Sequence, residues 1–322
     1  MIVMESAARP SRVELADLES LFAGSVARRL VHRAAISEVL ITGCRSVESD
    51  VITVGAQLPR AHSFYESIEG RWHDPMLVAE AIRQAGLVIA HQEFGVPFGH
   101  QFLMQDMTYD VDPGGLLVGG MPADLVLSVE TGEIVRRGYY IAGARLDVTI
   151  HRDGHWIGTG SARFDCVSPA VYSRMRALGG CEPAVPRPPA PVPPVLVGRE
   201  RASDVVLSPS GRADCWLLRA DPSHPVLFDH PVDHAPGMLL AEAARQAATA
   251  LLGSRSMGSA AAPLPLAFHI GYSRYVELNA PCLVRAVLLE QFGELALVRV
   301  TIEQGGRSAV EARLTMRAAV RG

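Results

Sequence analysis

Two stretches of the chain are almost continuously apolar and have nearly the same sequence. MLVAEAIRQA at 76–85 and MLLAEAARQA at 238–247 agree at eight of ten positions, with an offset of 162. Apolar residues cover most of the circumference of each segment, which predicts two long helices that other structure wraps on all sides. Asp74 is expected to cap the first helix, and Gly95 and Gly253 are expected to end the first and the second.

Each predicted helix carries three polar residues spaced i, i+3 and i+4, so they share one face. They are Glu80, Arg83 and Gln84 in the first copy, and Glu242, Arg245 and Gln246 in the second. A Glu–Arg contact at i, i+3 is common on helices, so a structural ion pair is the simpler interpretation. Burying charge in an apolar helix is costly, however, and this favours a functional use.

Runs with strand character follow each helix. They lie at 102–111, 124–129, 134–142, 145–151 and 155–165 in the first half, and at 266–278, 282–289, 295–303 and 308–319 in the second. Arg152-Asp153-Gly154 is typical of a hairpin turn between two strands. This order predicts an α+β fold in which an antiparallel sheet curls around one long helix, twice, with the two units packed as an internal dimer.

The segment between the two copies is rich in proline. Residues 182–197 read EPAVPRPPAPVPPVLV. Proline at this density neither pairs inside a sheet nor sustains a helix, so the segment is expected to be a semi-rigid linker. We predict a first domain with its lead-in at 1–181, a linker at 182–200 and a second domain at 201–322.

Composition excludes several classes of chemistry. All 30 Lys+Arg residues are arginine, which excludes a Schiff-base lysine and a Walker A phosphate loop. The net charge of -4 does not favour nucleic-acid binding. Five cysteines without a CxxC pair predict reduced thiols, and neither a signal-peptide core nor a membrane-spanning run is found, so we expect a cytoplasmic protein without a membrane partner. The histidine spacing fits no metal site, and neither a metal nor a cofactor is expected.

Four segments together resemble a known family. They are PRAHSFYES at 59–67, HDPMLVAEAIRQAG at 73–86, FDHPVDHAPGMLLAEAARQAA at 228–248 and RYVELNAP at 274–281. They are similar to the A-factor biosynthesis family, the hotdog-repeat enzymes of actinobacterial γ-butyrolactone and related furan signalling, over about residues 36–320. The resemblance implies two tandem hotdog domains that transfer a β-ketoacyl group from acyl carrier protein to the hydroxyl of dihydroxyacetone phosphate. It also implies that Glu80 and Arg245 match positions important for activity.

Alternatives remain open at this point. The second copy is also similar to the active-site stretch of hotdog acyl carrier protein dehydratases, in which a histidine precedes a Pro-Gly turn. Here His230 lies closer to Pro236-Gly237, which argues against simple dehydration. A dehydratase or thioesterase acting on acyl carrier protein or CoA thioesters is the nearest alternative, and a non-catalytic acyl-ligand sensor is another class. The assembly is expected to be either a monomeric pseudodimer or a homo-oligomer.

Acyl transfer from a thioester to an alcohol needs a base, donors for the oxyanion and a site for the phosphate. Glu80 is a candidate base, because burial raises the pKa of a carboxylate. The amides at both helix starts are candidate oxyanion donors, and Arg245 is a candidate clamp for the phosphate. Our hypothesis is that Glu80 and Arg245, one from each half, face one shared cleft.

The remaining candidates are neighbours of these residues. Catalytic roles are also considered for Glu242 and His234, and substrate binding is expected of Arg83, Gln84, Gln246, Gly237, His73 and His230. For His234 and His230, a loop-capping role is as good an interpretation as a catalytic one. His73 is the weaker candidate, because Trp72 aligns with His234.

Overall fold

The computed structural model describes residues 19–46, 51–177, 188–255 and 262–317. Cys181 and the first part of the predicted linker lie outside the described residues. Seven elements occur in the same order in both halves, and a short helix follows them in the first half. In the first half they are β1 (Ile41–Ser46), β2 (Val51–Leu58), α1 (Met76–Gln92), β3 (Gln101–Val111), β4 (Ala123–Arg137), β5 (Tyr140–Arg152), β6 (His155–Val167) and the short α2 (Pro169–Ala177). In the second half they are β7 (Leu207–Arg212), β8 (Cys215–Leu218), α3 (Gly237–Arg255), β9 (Leu264–Tyr272), β10 (Cys282–Phe292), β11 (Leu295–Gln304) and β12 (Arg307–Arg317).

The strands form one antiparallel sheet that runs through both halves. Its order is β1-β2-β4-β5-β6-β3-β9-β12-β11-β10-β8-β7, so each half reads the same way from its outer edge to the centre. The halves join where β3 pairs with β9, from Asp106 opposite Gly271 to Asp110 opposite Ala267. This arrangement confirms the predicted fold of two units, each with a sheet around a long helix.

Helix α1 is buried along nearly its whole length, as its apolar pattern predicts. Its start also follows the prediction, because Asp74 Oδ1 accepts a hydrogen bond from the Met76 amide at 2.9 Å. The prediction that Gly253 ends the second helix is wrong, since α3 continues to Arg255. Gly253 does not have the positive φ that ends many helices, and the preceding Leu251 is fully buried. No helix among the described residues is both long and apolar enough to span a membrane.

The strand predictions hold except at two places. The run predicted at 266–278 ends at Tyr272 in β9, and the second difference lies near 138. The run predicted at 134–142 is divided between β4 and β5 by a turn at Gly138, whose φ is 65°. The hairpin turn predicted between β5 and β6 is confirmed, with positive φ at Asp153 and Gly154. Both turns use residues that tolerate the left-handed region, and only the second was visible as a turn dipeptide.

The described part of the predicted linker packs against the second half. Val192 and Val197 are buried, and Arg199 reaches the interior of the second half. Val31-His32-Arg33 occupies the equivalent position in the first half, since both segments end a 3-10 turn before the first strand. The domain boundaries stay a prediction, but this segment contributes to the core of the second unit.

Helix α1 approaches the sheet closely at a glycine of β6. A Cβ added to Gly160 would lie 2.4 Å from Ile82 Cδ1 and 2.9 Å from the Thr108 carbonyl oxygen. We expect Gly160→Ala to lower the free energy of unfolding by about 1–3 kcal/mol through overpacking. Denaturant unfolding measures this, with Gly132→Ala in β4 as the control because nothing lies within 4 Å of its added Cβ. Equal stability of the two variants would contradict this close packing.

Candidate active site

A cavity of about 220 Å³ lies between the two halves, where α1 faces the start of α3. We call it the interface cavity. One part of its wall is apolar and is formed by Ile82, Leu87, Phe102, Met104, Met107, Ala162 and Phe164. Its polar lining residues include His32, Arg33, Arg83, Asp229, His230, His234 and Tyr272, and Gly237 also lines it. The cavity can therefore hold an apolar chain whose polar end meets cationic side chains.

The interface cavity continues outwards into a wider depression of about 670 Å³, which we call the cavity mouth. The two share His32, Arg33, His230 and His234. The mouth adds Arg29 and His100, while Asp233 is its acidic residue. Its side chains suit an anionic group such as a phosphate.

Beside the cavity, Glu80 is held by two arginines. Arg33 donates to Glu80 Oε1 from Nη2 at 2.7 Å and from Nε at 3.1 Å. Arg83 donates to both carboxylate oxygens at 2.8 Å, and Gln84 donates to Oε1 at 2.6 Å. Burial raises the pKa of Glu80, but the two guanidinium groups outweigh it and hold that pKa well below its usual range. The expectation of a raised pKa is therefore wrong, and this carboxylate is a poor proton acceptor.

The second half contains the same cluster. Arg199 Nε donates to Glu242 Oε1 at 3.1 Å, and its Nη2 forms an ion pair with the same oxygen at 2.8 Å. Arg245 donates to the two carboxylate oxygens at 2.6 and 2.9 Å. Gln246 donates to Oε1 at 2.6 Å. Burial raises the pKa of Glu242, but the arginines lower it to about 2. The simpler interpretation of each Glu–Arg pair, an i, i+3 ion pair, is confirmed in both helices.

Arg245 lies at a different cavity, which we call the acidic cavity. Its wall includes Arg199 and Arg245 together with four carboxylates, those of Glu66, Glu69, Asp74 and Glu200. The hypothesis that Glu80 and Arg245 face one shared cleft is therefore wrong. The reason is geometric: each arginine folds back onto the glutamate of its own helix, and each cavity combines that cluster with the helix start of the other half.

The two arginines also differ in access. The Arg83 side chain is 20 % exposed, whereas that of Arg245 is 2 % exposed. A phosphate clamp must reach its ligand, and the carboxylates of the acidic cavity would repel an anion. Arg83 meets these conditions, and Arg245 does not.

The two helix starts are not equivalent. At α1, the Asp74 carboxylate accepts from the Met76 amide, and its carbonyl accepts from the Leu77 amide at 2.9 Å. The equivalent position before α3 is Pro236, which has no carboxylate. Gly237 lines the interface cavity, and its carbonyl accepts a hydrogen bond from the Tyr272 hydroxyl at 3.0 Å. Both helix starts were predicted to supply amide donors for the oxyanion. The start of α3 lines a cavity and has no carboxylate bound to its amides, whereas the start of α1 is capped by Asp74.

The predicted histidines separate into two groups. His234 lines the interface cavity, and its Nδ1 lies 2.7 Å from Asp233 Oδ1. His230 also lines it and is about half exposed. His73 is buried away from the cavity, where burial and then Arg152 lower its pKa to about 4. Burial raises the pKa of Asp233, but hydrogen bonds from Tyr172 and His234 outweigh it and lower that pKa to about 2. The Asp233 carboxylate is therefore ionised and only accepts, so His234 Nδ1 is the donor.

Gln84 and Gln246 are fully buried and use their amides within the protein. Gln84 donates to the Glu38 carbonyl at 2.7 Å and accepts from the Leu40 amide at 2.9 Å. Gln246 makes the same bonds, to the Asp204 carbonyl and from the Val206 amide. These bonds tie each helix to the segment before the first strand, and substrate binding by the two glutamines stays a prediction.

Several residues of this site were not predicted from the sequence: His32, Arg33, Asp229, Tyr272 and, in the second half, Arg199. A signal existed for two of them. VHR at 31–33 and VGR at 197–199 precede SE at 37–38 and SD at 203–204, with an offset of 166. The helices repeat at an offset of 162, so a search at a single offset does not align the arginines.

The fold defines the class of protein. The chain is similar to an acyl-ACP thioesterase from Bacteroides thetaiotaomicron, with a TM-score of 0.51 and 12% identity, covering 85% of this chain and 100% of that one. It is similar to the 12:0-ACP thioesterase from Umbellularia californica, with a TM-score of 0.50 and 11% identity, covering 85% and 100%. At this identity the likeness shows the fold, two tandem hotdog domains.

The sequence defines the family. The model of the A-factor biosynthesis hotdog domain matches residues 17–168 and 182–320. A relative from Streptomyces virginiae named 2-oxo-3-(phosphooxy)propyl 3-oxoalkanoate synthase is 48% identical over 262 residues, 81% of this chain and 87% of that protein. One of the same name from Streptomyces coelicolor is 38% identical over 281 residues, 86% and 87%. The chain belongs to the A-factor biosynthesis hotdog family.

The buried carboxylates make the free energy of unfolding depend on pH in the acidic range. The folded pKa of Glu242 is about 2 and its ordinary value is 4.5, so the unfolded state binds more protons between these values. The resulting stabilisation is complete above pH 4.5 and is lost as the pH falls towards 2. We expect Glu242→Gln to lose about 3–5 kcal/mol at neutral pH, because two buried guanidinium groups lose their counter-ion, and to show a flatter acid dependence.

Denaturant unfolding between pH 2.5 and 7 measures this effect. Asp147→Asn is the control, because it removes an exposed ion pair with Arg145 and should cost less than about 1 kcal/mol. A Glu242→Gln variant with the stability and acid profile of the control would refute the assignment of a charged buried cluster.

Proposed function

We propose that this chain transfers a β-ketoacyl group from the thioester of acyl carrier protein to the primary hydroxyl of dihydroxyacetone phosphate. The observation that carries the proposal is the interface cavity, in which an apolar wall leads to a mouth of arginines and histidines. An acyl chain suits the first part and a phosphate suits the second. The names of the relatives support the same substrates, since those proteins are described as synthases of a phosphooxypropyl 3-oxoalkanoate.

The reaction exchanges one bond for another. The hydroxyl oxygen of the acceptor attacks the thioester carbonyl carbon, a C–O bond forms, and the C–S bond breaks. The hydroxyl proton is taken up by a group of the site, and the sulfur of the carrier leaves as a thiol. Neither an oxidant nor a reductant is required.

Charged groups of the cavity suit the anions of this reaction. The amides at the start of α3 point to a site for the oxyanion, which is the role of helix N-termini in acyl transfer. Arg83 lies beside the same space and can stabilise the developing charge, while the exposed Arg29 at the cavity mouth suits the phosphate of the acceptor. Glu80 acts as a positioning residue in this proposal, because it fixes both Arg33 and Arg83.

Transfer is favoured over hydrolysis or dehydration by the carboxylates of the cavity. Asp229 lines the wall, but its two oxygens accept hydrogen bonds from the amides of Ala34 and Ala35. Both oxygens of Glu80 are held by arginines. Glu80 is therefore a poor base for the activation of water, and Asp229 is engaged by two backbone amides.

The reaction itself is the first test. With a β-ketoacyl thioester of acyl carrier protein and dihydroxyacetone phosphate, we expect the phosphate ester by mass spectrometry, and no ester with dihydroxyacetone. Arg83→Gln should lower kcat/KM by about 10²–10³-fold, since it removes a donor for the developing charge. Free fatty acid or an enoyl thioester formed at the same rate with and without acceptor would contradict transfer and favour the thioesterase or dehydratase alternatives.

A second test concerns His234. Because Asp233 fixes Nδ1 as the donor, Nε2 is left to exchange a proton with the substrate or the leaving sulfur. His234→Asn should lower kcat by about 10²–10⁴-fold. His155→Asn, at an exposed hairpin outside the cavity, is the control and should be unchanged. Normal kcat in His234→Asn would remove that residue from proton transfer.

A further inference from the structure

A pair of histidines beside the interface cavity has no counterpart at the acidic cavity. His32 Nε2 lies 2.8 Å from His91 Nε2, and His91 Nδ1 lies 2.7 Å from the Val96 carbonyl oxygen. His32 lines both the interface cavity and its mouth. In the second half the equivalent residues are Gly198 and Gly253, and both line the acidic cavity.

The hydrogen bonds determine the protonation of the pair. A carbonyl oxygen only accepts, so His91 Nδ1 must donate to Val96. In a neutral ring His91 Nε2 is then an acceptor, and His32 Nε2 must donate to it. This leaves Nδ1 of a neutral His32 as the ring nitrogen able to accept a proton.

His32 has a left-handed backbone conformation, which is uncommon for a residue other than glycine. Its φ of 52° and ψ of 49° are left-handed, and Gly198 has nearly the same conformation at 66° and 36°. Glycine adopts this region freely, whereas a residue with a Cβ is disfavoured there. The first half therefore keeps an imidazole at a position where the second half has the residue that the backbone prefers, which is typical of functional sites.

Neighbouring groups hold the ring in place. Asp229 accepts hydrogen bonds from the two amides that follow Arg33, those of Ala34 and Ala35. The Phe102 ring, which lines the cavity, contacts both imidazoles edge-on at 5.2 and 5.4 Å between centroids. His91 and Phe102 thus contact the His32 ring, while Asp229 holds the backbone that follows it.

We propose that His32 is the catalytic base that takes the proton from the acceptor hydroxyl, with His91 as the positioning residue that fixes its tautomer. This inference rests on the acyl transfer proposed above. The hydroxyl proton moves to His32 Nδ1 as the C–O bond forms. It leaves His32 as the C–S bond breaks and ends on the carrier sulfur, directly or through His234.

Electrostatics is consistent with this role. Burial, then the charges of His91, Arg83 and His230, lower the pKa of His32 to about 4, so without the acceptor the ring is neutral at neutral pH but is a weak base. The phosphate of the acceptor is an anion, and near the same ring it favours the imidazolium form. Binding of the acceptor would therefore strengthen the base at the moment when it is needed.

The test uses the two residues that suit this backbone. His32→Gly copies Gly198, and His32→Asn keeps a polar side chain that tolerates the left-handed region. In both variants we expect kcat to fall by about 10²–10⁴-fold with the KM for dihydroxyacetone phosphate within a few fold. Added imidazole should restore part of the activity of His32→Gly only, whereas His91→Gln should lose less than either.

The outcomes separate this inference from the proposed function. If the wild type makes the ester and both His32 variants keep its kcat, His32 is not the base. The same conclusion follows if the variants lose activity only through a higher KM and imidazole does not restore it. If the wild type makes no ester, the proposed function fails. The pair is still tested then by nitrogen-15 NMR of the wild-type protein, which should show protons on His32 Nε2 and His91 Nδ1 at neutral pH. A proton on His32 Nδ1 instead would overturn the assignment.

Discussion

A buried carboxylate held between two arginines is the interaction on which each half of this protein depends. One arginine comes from the helix itself, at i+3, and the other from the segment that precedes the first strand. A glutamine at i+4 joins the same carboxylate to the backbone of that segment. Removing a charge from water costs several kcal/mol per ion, and this cost is offset only when all partners are present. The cluster therefore fixes the helix and the lead-in segment relative to each other.

This constraint determines where the cavities form. Because each cluster uses residues of one half and faces the helix start of the other, two cavities arise from the internal symmetry. The sequence then makes them different. At one cavity the helix start carries Asp74, and further carboxylates surround Arg245. At the other, Pro236-Gly237 leaves the helix start without an acidic cap, Arg83 is partly exposed, and His32 and His91 take positions occupied by glycine in the other half. We infer that one cavity carries the chemistry and that the other supports the fold.

The sequence predicted the features that depend on local pattern. Two apolar runs predicted two buried helices, and the Glu80–Arg83 spacing predicted the ion pair that forms. Asp74 was correctly identified as a cap, and two tandem hotdog units followed from the repeat and the resemblance. Contacts between residues far apart in the sequence could not be predicted from local pattern. The two clusters do not meet, so Arg245 is not a partner of Glu80, and the pKa of Glu80 is lowered by Arg33, 47 residues before it. Gly253 was expected to end a helix, but α3 continues for two more residues, to Arg255.

The central claim is that one of two related cavities receives the substrate. Isothermal titration calorimetry with a β-ketoacyl pantetheine analogue whose sulfur is replaced by a methylene group tests it directly, because the analogue binds without being consumed. The account predicts one bound analogue per chain, with NMR shifts at Met107 and Phe164 of the interface cavity. Two bound analogues per chain, or one that shifts residues of the acidic cavity instead, would contradict it.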